Sequence, residues 1–526
     1  MQILKSRSPI YDVAVVGAGA SGGVMATWLA RQGVKVALIE GGPPIDSTKF
    51  NTHALAYEYE NRKVPLMIEG APTMGGDRAR GVGGKSLLWN AVALRLSQRD
   101  FKGYTLEGVG HDWPIDYKDL APYYDRIERE AGVCGNLDHL EDLPDGQFLP
   151  PMPLKCVDHV LRRGARKLGV PVIHVRKATI TRSYNKRPAC HYCGNCMAGC
   201  DVIAKYNSAD VHLKTQATNK NLTILPNRVA RQVLVNSENQ VTGVATIDRL
   251  TKVEDEVRAR AVVVSCACVQ SIALLLMSKS ERYPTGLANS SGMLGKDWIP
   301  HLLAFHTGVV EEFEGRPPVN DEGALDHGFI PSWMHARKRD YARSFAVQYD
   351  YQGRRSNAWW IKQVNGFGAD YKRRVRQANP AVLIFRPNIE MLPNKDSYID
   401  LDTERKDDYG LPFARRHLEF GPNDWKIFNH SKDLTKEIFA ATGIRLISEP
   451  EKPAGPDHEL GGCIMGNDPR TSVLNKWCQT HDIKNLFVVD GSVFPSGAEK
   501  NPTLTIMTLA ARTADHIAGR FKRREL

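Results

Sequence analysis

Between Tyr11 and Val16 the polar residue Asp12 is followed by Val13, Ala14, Val15 and Val16, the unbroken apolar run of a strand buried on both faces. It runs into Gly17-Ala18-Gly19-Ala20-Ser21-Gly22, then into a stretch with apolar residues at helical spacing (Met25, Leu29) closed by Gly33. A second apolar run, Val34 to Ile39, ends at Glu40. The pattern predicts strand, glycine turn, helix, strand, acid. Arg260 to Val264, then Ser265 to Cys268, then Ser271 to Leu276 reads as a returning strand and helix of the same sheet, with Cys266 and Cys268 as small packing residues. Apolar runs such as Ala261 to Val264 and Leu302 to Phe305 fall well short of the roughly 18 residues a membrane span needs, so none is predicted. No internal repeat or low-complexity segment breaks the pattern.

Each glycine of the first turn has a task in such a unit. Gly17 makes the tight turn, Gly19 lets backbone approach a pyrophosphate, and Gly22 lets the helix pack closely on the strand. Glu40, 21 residues after Gly19, stands where a carboxylate accepts hydrogen bonds from an adenosine ribose. The chain is therefore expected to bind a dinucleotide, NAD or FAD.

Composition narrows the class. At 526 residues, 42% hydrophobic and 25% charged, the chain is globular and long enough for about two to four domain-sized units. The net charge of +11 comes from 70 Lys+Arg against 59 Asp+Glu, and the basic residues are scattered, as at Arg337, Lys338, Arg339 and Lys372, Arg373, Arg374, Arg376. No nucleic-acid reader motif accompanies them, so no nucleic-acid partner is expected. Met1 to Pro9 is not followed by the apolar stretch of a leader, so no export signal is predicted. Ten cysteines are too few for a disulfide scaffold, but Cys190, Cys193, Cys196 and Cys200 crowd into eleven residues.

Two later segments decide between nicotinamide and flavin. Arg80-Gly81-Val82-Gly83-Gly84-Lys85-Ser86-Leu87-Leu88-Trp89-Asn90 is a second glycine-rich loop, and Asn485 to Pro495 is a late strand ending in Asp490-Gly491. Together with Trp113-Pro114-Ile115, Leu120-Ala121-Pro122-Tyr123-Tyr124 and Asn501-Pro502-Thr503-Leu504-Thr505, they make the chain resemble the glucose-methanol-choline (GMC) family of FAD-dependent oxidoreductases. The resemblance implies an α/β fold: a Rossmann-like FAD-binding domain with an α+β substrate domain built on an antiparallel sheet. It implies that residues 9–300 (discontinuous) and 451–526 form the FAD domain, with a cluster loop at 186–204 inside it and a substrate domain over 301–450. It places Gly83, Gly84, Ser86 and Asn90 around the flavin, Asp490 near its ribityl and pyrophosphate, and Val229 at the adenine. Some relatives attach FAD through a histidine; Leu88 stands at that position, so FAD is expected to be non-covalent.

Oxidising an alcohol with a flavin needs a base for the hydroxyl proton while hydride leaves the same carbon, and a neutral imidazole suits that task. His458 precedes Gly461-Gly462, and Asn501 follows it by 43 residues, resembling the family's pair of catalytic histidine and substrate-binding asparagine. His301 and His481 are read as structural. Aromatic residues of the substrate domain, Trp333, Trp359, Trp360, Tyr349 and Tyr351, could stack on sugar faces or fill the core.

The cysteine run C-x2-C-x2-C-x3-C has ferredoxin spacing, with structural zinc and disulfides as the competing readings. Catalytic subunits of bacterial sugar dehydrogenases of this family carry a three-iron cluster at about this place. Cys190, Cys196 and Cys200 reproduce their x5 and x3 spacing with Cys193 extra, so [3Fe-4S] and [4Fe-4S] both stay open. The resemblance implies a dehydrogenase oxidising a sugar or glucoside, C3 of a glucoside first, with glucose 1-dehydrogenase, gluconate 2-dehydrogenase or a zinc-bearing alcohol or choline oxidase as alternatives. Its implied partners are a small chaperone-like subunit carrying the export signal and a c-type cytochrome or other acceptor. The implied location is the periplasm, the alternative the cytoplasm.

Overall fold

The computed structural model describes residues 9–50, 67–70, 79–317, 326–332, 339–351, 361 and 364–526. Trp333, Arg337, Lys338, Trp359 and Trp360 lie outside the described residues.

The first strand is Tyr11–Val16, and Val13, Ala14 and Val15 are fully buried, as an apolar run covered on both faces requires. The helix Ala20–Arg31 follows, and the next strand begins at Val36 rather than Val34, because the Lys35 carbonyl accepts from both Asp12 and Val13. These two strands pair in parallel, flanked by Leu222–Leu225 on one side and Glu254–Val264 on the other. Glu254–Val264 is long enough to serve two neighbourhoods. Its second half lies between Tyr11–Val16 and the late parallel strand Leu486–Val488, while its first half pairs antiparallel with Val241–Asp248, which in turn pairs with Arg228–Val235. Among the described residues the sheet has seven strands. The returning helix spans Cys268–Met277, with Cys268 buried as a packing residue expects and Cys266 half-buried.

Three helices cover one face. Ala20–Arg31 packs on the terminal helix Thr503–Lys522, which also meets Tyr117–Ala131. Trp28 is 1% exposed and donates its indole N–H to Asp515 at 3.0 Å; burying a ring of that size stabilises by about 2–3 kcal/mol.

A second sheet, of five strands among the described residues, is antiparallel throughout them. Phe345–Tyr351 pairs with Val382–Ile389, which pairs with His306–Val310 and the short Leu302–Leu303, and His306–Val310 pairs with Ile444–Ser448. The helix Pro422–Thr442 covers it. Strand alternation gives its faces different characters. Tyr349 and Tyr351 turn into the core, where Tyr349 donates to Asp158 at 2.7 Å and Tyr351 to the Pro380 carbonyl. The alternate residues Gln348 and Asp350, with Ile384 and Arg386 across from them, face a cavity. A polar face, not these two tyrosines, is what the described part of this sheet offers there.

Two motifs of the sequence pin the late turn and the terminal helix. Trp113 packs edge-on against Phe101 and Phe494 and donates to Ser496 Oγ at 2.9 Å, pinning the turn after Asp490-Gly491. Tyr124 meets Thr505 Oγ1 at 2.6 Å, fixing the first turn of the terminal helix.

Candidate active site

A cavity of about 1000 Å³ opens where the parallel strands end, lined from both glycine loops, the cysteine loop and the antiparallel sheet. That is the upper end of the volumes of small-molecule and cofactor sites.

The first glycine loop is shaped for close approach. Gly17 has φ +103°, and a Cβ there would stand 2.3 Å from the Ser265 carbonyl oxygen; one on Gly22 would stand 1.8 Å from the Gly17 oxygen. Gly19 differs: among the described residues, its chain neighbours apart, a Cβ there would meet no atom within 4 Å, and Gly19 lines the cavity. Backbone kept bare beside open space is what a pyrophosphate needs. Glu40 is buried beside it, accepting from Ala18 N at 3.0 Å and Gly42 N at 2.9 Å. Burial pushes its carboxyl upward, opposed by the amides of Ala18, Gly42 and Gly81. Val229 lines the cavity next to Gly41, as do Arg80, Arg249 and Tyr409, and the Arg80 guanidinium lies 5.4 Å from the Tyr409 ring centre.

The second loop docks onto the first. Gly83 N donates to the Ala18 carbonyl at 3.1 Å, and a Cβ on Gly84 would come within 3.1 Å of the Gly19 Cα. Gly83 itself, like Gly22, is placed behind the lining; Gly84, Lys85, Ser86, Leu88, Trp89 and Asn90 form it. The Ser86 hydroxyl donates to the Gly83 carbonyl and accepts from Ser208 N at 3.0 Å. Asn90 accepts from Lys177 at 2.9 Å and donates to Asp326. Both side chains are thus held by the protein as well as reaching the cavity. Asp490 is 3% exposed and accepts from Ser492 N at 2.9 Å and from the Ser271 hydroxyl, which sets its orientation at the rim.

His458 and Asn501 meet. Asn501 Nδ2 lies 3.1 Å from His458 Nε2, and its carbonyl oxygen accepts from Gln348 Nε2 at 2.7 Å, so the amide nitrogen faces the imidazole. Lys500, 2% exposed, pairs with Asp100 at 2.9 Å and Glu499 at 2.9 Å and anchors the Asn501-Pro502 turn. Burial pushes the His458 imidazole below its ordinary pKa, with Lys85 and Arg386 acting the same way and Asp457 opposing them. Burial alone would raise Asp457, but His458, Lys85, His301 and Arg386 hold it below the ordinary carboxylate value. Arg386 lies 3.1 Å from Asp350 and 3.4 Å from Asp326. His481 keeps to a structural contact, 3.0 Å from Ser472 Oγ. His301 does not: its Nδ1 stands 3.0 Å from His458 Nδ1. Gln348, Arg386, Asp350 and Asn388 were invisible to motif reading, since each is an ordinary strand residue brought in by sheet register.

None of the four clustered cysteines forms a disulfide among the described residues. Cys196 is buried in a small apolar cluster against which Cys190 and Cys200 pack, and Cys193 lies outside it. Tyr192 N points to Cys190 Sγ at 3.4 Å and Lys205 N to Cys200 Sγ at 3.5 Å, contacts that stabilise thiolate sulfur. Among the described residues no three His, Cys, Asp or Glu donors converge on one point. The loop thus offers sulfur donors, but among the described residues they are not brought together into a metal-binding group. Met197, between the cysteines, lines the main cavity. No helix among the described residues is long and apolar enough to cross a membrane.

The sequence matches the GMC oxidoreductase family over residues 12–301 and again, for its C-terminal part, over residues 393–510. It is 28% identical to the fructose dehydrogenase large subunit of Gluconobacter japonicus, with 97% of this chain and 98% of that protein covered. It is 30% identical to a 2-methyl-1,2-propanediol dehydrogenase of Mycolicibacterium austroafricanum, covering 97% and 95%. The fold superposes on pyridoxine 4-oxidase from Mesorbium loti with a TM-score of 0.70 at 17% identity, covering 96% of this chain and 99% of that one. GMC enzymes bind FAD and act on CH–OH groups, and the α/β fold with its antiparallel second sheet is theirs. With both halves of the family matched and the dinucleotide loop and the imidazole opening on one cavity, the chain belongs to the GMC oxidoreductases.

Proposed function

We propose that this protein is an FAD-dependent sugar dehydrogenase that oxidises a secondary hydroxyl of a sugar or glucoside, C3 of a glucoside in the sharpest form of the reading, and passes the electrons to an external acceptor other than oxygen. The observation that carries the reading is the 3.1 Å contact of His458 Nε2 with Asn501 on the wall of the cavity shared with Gly19 and Glu40. The likeness to the fructose dehydrogenase large subunit supports the substrate class.

Gly19, Glu40, Val229, Gly84, Ser86, Asn90 and Asp490 would hold FAD, which when bound supplies an acceptor for the hydride at N5. His458 Nε2 takes the hydroxyl proton as the carbon–hydrogen bonding pair leaves, so the alcohol loses one proton and one hydride and becomes a carbonyl. Asn501 holds Nε2 in place and stands where it can also bind the substrate oxygen. Gln348, Asp350 and Arg386 present donors and an acceptor to neighbouring hydroxyls, which suits a polyol better than a simple alcohol. Cys190, Cys196 and Cys200 would hold an iron–sulfur centre, which supplies one-electron transfer toward the acceptor. The apolar cluster that joins them favours the three-cysteine set over one that includes Cys193. A small partner subunit carrying an export signal, a c-type cytochrome as acceptor, and a periplasmic location complete the reading.

The test is an anaerobic spectrum of the purified protein with glucose, a glucoside, fructose, gluconate and choline in turn, with iron and acid-labile sulfide assayed on the same sample. Bleaching of the flavin by a sugar, product NMR placing the carbonyl, and iron with sulfide in the protein support the reading. Bleaching by choline or simple alcohols alone, or zinc in place of iron, overturns it.

A further inference from the structure

His458 can act as a base only if the nitrogen facing the cavity is bare. The side of the ring turned away from the cavity settles that. His301 is fully buried, and its Nδ1 lies 3.0 Å from His458 Nδ1, with the rings edge-on at 83°. Two imidazole nitrogens at that separation share one proton, since two lone pairs repel and two N–H groups collide.

Asn388 decides which ring owns it. Its Nδ2 donates to the Glu499 carbonyl at 2.9 Å, which identifies it as the amide nitrogen, and stands 3.2 Å from His301 Nδ1. His301 Nδ1 is therefore an acceptor, the shared proton sits on His458 Nδ1, and His458 Nε2 is left bare 3.1 Å from Asn501. The backbone repeats the clamp: His301 N donates to the His458 carbonyl at 3.1 Å, and Asp457 N donates to the His301 carbonyl at 3.1 Å. Burial pushes His301 down to about 3, so it stays neutral at any working pH and keeps accepting. Asp457 Oδ2 reaches the same His458 proton from 3.2 Å, but it is a half-buried side chain at the cavity wall. It acts on the ring through its charge, and His301 is the fully buried ring packed edge-on against it.

We propose that His301 is a positioning residue, a neutral acceptor that sets the ring plane and tautomer of His458 so that Nε2 faces the substrate hydroxyl without a proton. This rests on the reading of His458 as the base.

The test compares His301→Leu, His301→Gln and Asn388→Leu with His458→Ala in the FAD-loaded protein, following anaerobic flavin reduction, KM and the pH profile. His301→Leu is expected to slow flavin reduction roughly 10–100-fold with KM little changed. The loss stays constant across pH above the acid limb, because a wrong tautomer does not titrate away. His301→Gln, whose Oε1 accepts the same N–H, recovers most of the rate. Asn388→Leu leaves His301 in place but frees its tautomer, and shows the same split at smaller size, which keeps the idea testable if His301→Leu fails to fold. A wild-type rate in His301→Leu or Asn388→Leu, or equal losses in the Leu and Gln variants, overturns the proposal. If His458→Ala itself reduces flavin normally, the base assignment falls first; if it is inactive while His301→Leu is active, only the role of His301 falls.

Discussion

Lys205 donates to the Cys196 carbonyl at 2.6 Å and, from the same ammonium, to the Leu87 carbonyl at 2.9 Å and the Trp89 carbonyl at 3.0 Å. One buried cation thereby ties the cysteine loop to the loop that lines the cavity. Burial lowers its pKa to about 8, with the charges of Cys196 and Cys200 opposing the fall.

Lys205→Met should therefore loosen two elements at once. Three carbonyls lose the ammonium donor; the Cys196 oxygen keeps Gly199 N at 3.3 Å, and each group left unsatisfied costs about 1–3 kcal/mol. The expected result is a clear drop in Tm and easier loss of bound flavin, both read by a thermal scan following flavin fluorescence. An unchanged Tm would show that the tie carries no load.

The two glycines of the first loop should separate binding from folding. Gly19 has φ −71° and open space where its Cβ would go, so Gly19→Ala is expected to fold with near wild-type Tm and to lose FAD, measured as flavin per chain. Gly22→Ala drives a methyl to 1.8 Å from the Gly17 carbonyl oxygen and is expected to cost yield and stability instead. Equal behaviour of the two would contradict the cavity assignment.

His458→Ala should keep FAD and lose flavin reduction by roughly 10²–10⁴-fold, the usual worth of a positioned base. In the wild type, the imidazole must be neutral to accept a proton, and its pKa is lowered by burial. Activity is thus full at neutral pH and falls as acid protonates the ring, with the midpoint of kcat/KM below the ordinary histidine value of about 6.5. A midpoint above that value would argue for another base.

Stability should follow pH in the same sense. His301 is pushed to about 3 in the folded chain, while the unfolded chain takes up its proton near about 6.5. Between those values the unfolded state binds more protons, so stability is complete above the upper one and is lost as pH falls toward the lower. His301→Gln is expected to flatten that slope in denaturant titrations at pH 7, 5.5 and 4.5.

Cys193 and Cys196 should behave differently if three cysteines hold the cluster. Cys193→Ser is expected to retain iron, since Cys193 lies outside the apolar group that joins Cys190, Cys196 and Cys200, and Cys196→Ser to lose it. Loss in both variants would point to four ligands instead.

Much of this molecule is local. The run Val13–Val16, the glycines after it and Glu40 form a unit because strand, turn and helix follow from neighbours in the chain, and the structure places all of them within one or two residues of their predicted bounds. His458 and Asn501 were legible from the motifs around them, as Trp113 and Tyr124 were, without any sign of what each would touch. The tertiary structure alone decided the partners. Gln348 stands opposite Arg386 because one antiparallel register pairs them, and a shift of one residue would turn Gln348 and Asp350 from the cavity into the core. His301, which reads from sequence as one more packing histidine, acquires its role only when the pairing of Val382–Ile389 with Leu302–Leu303 sets Asn388 beside it and the chain crossing at 457–458 sets its ring against His458. A residue's type and its local pattern fix what it can donate or accept. Which group it meets depends on sheet pairing and packing summed over the whole chain, and no single stretch of sequence contains that.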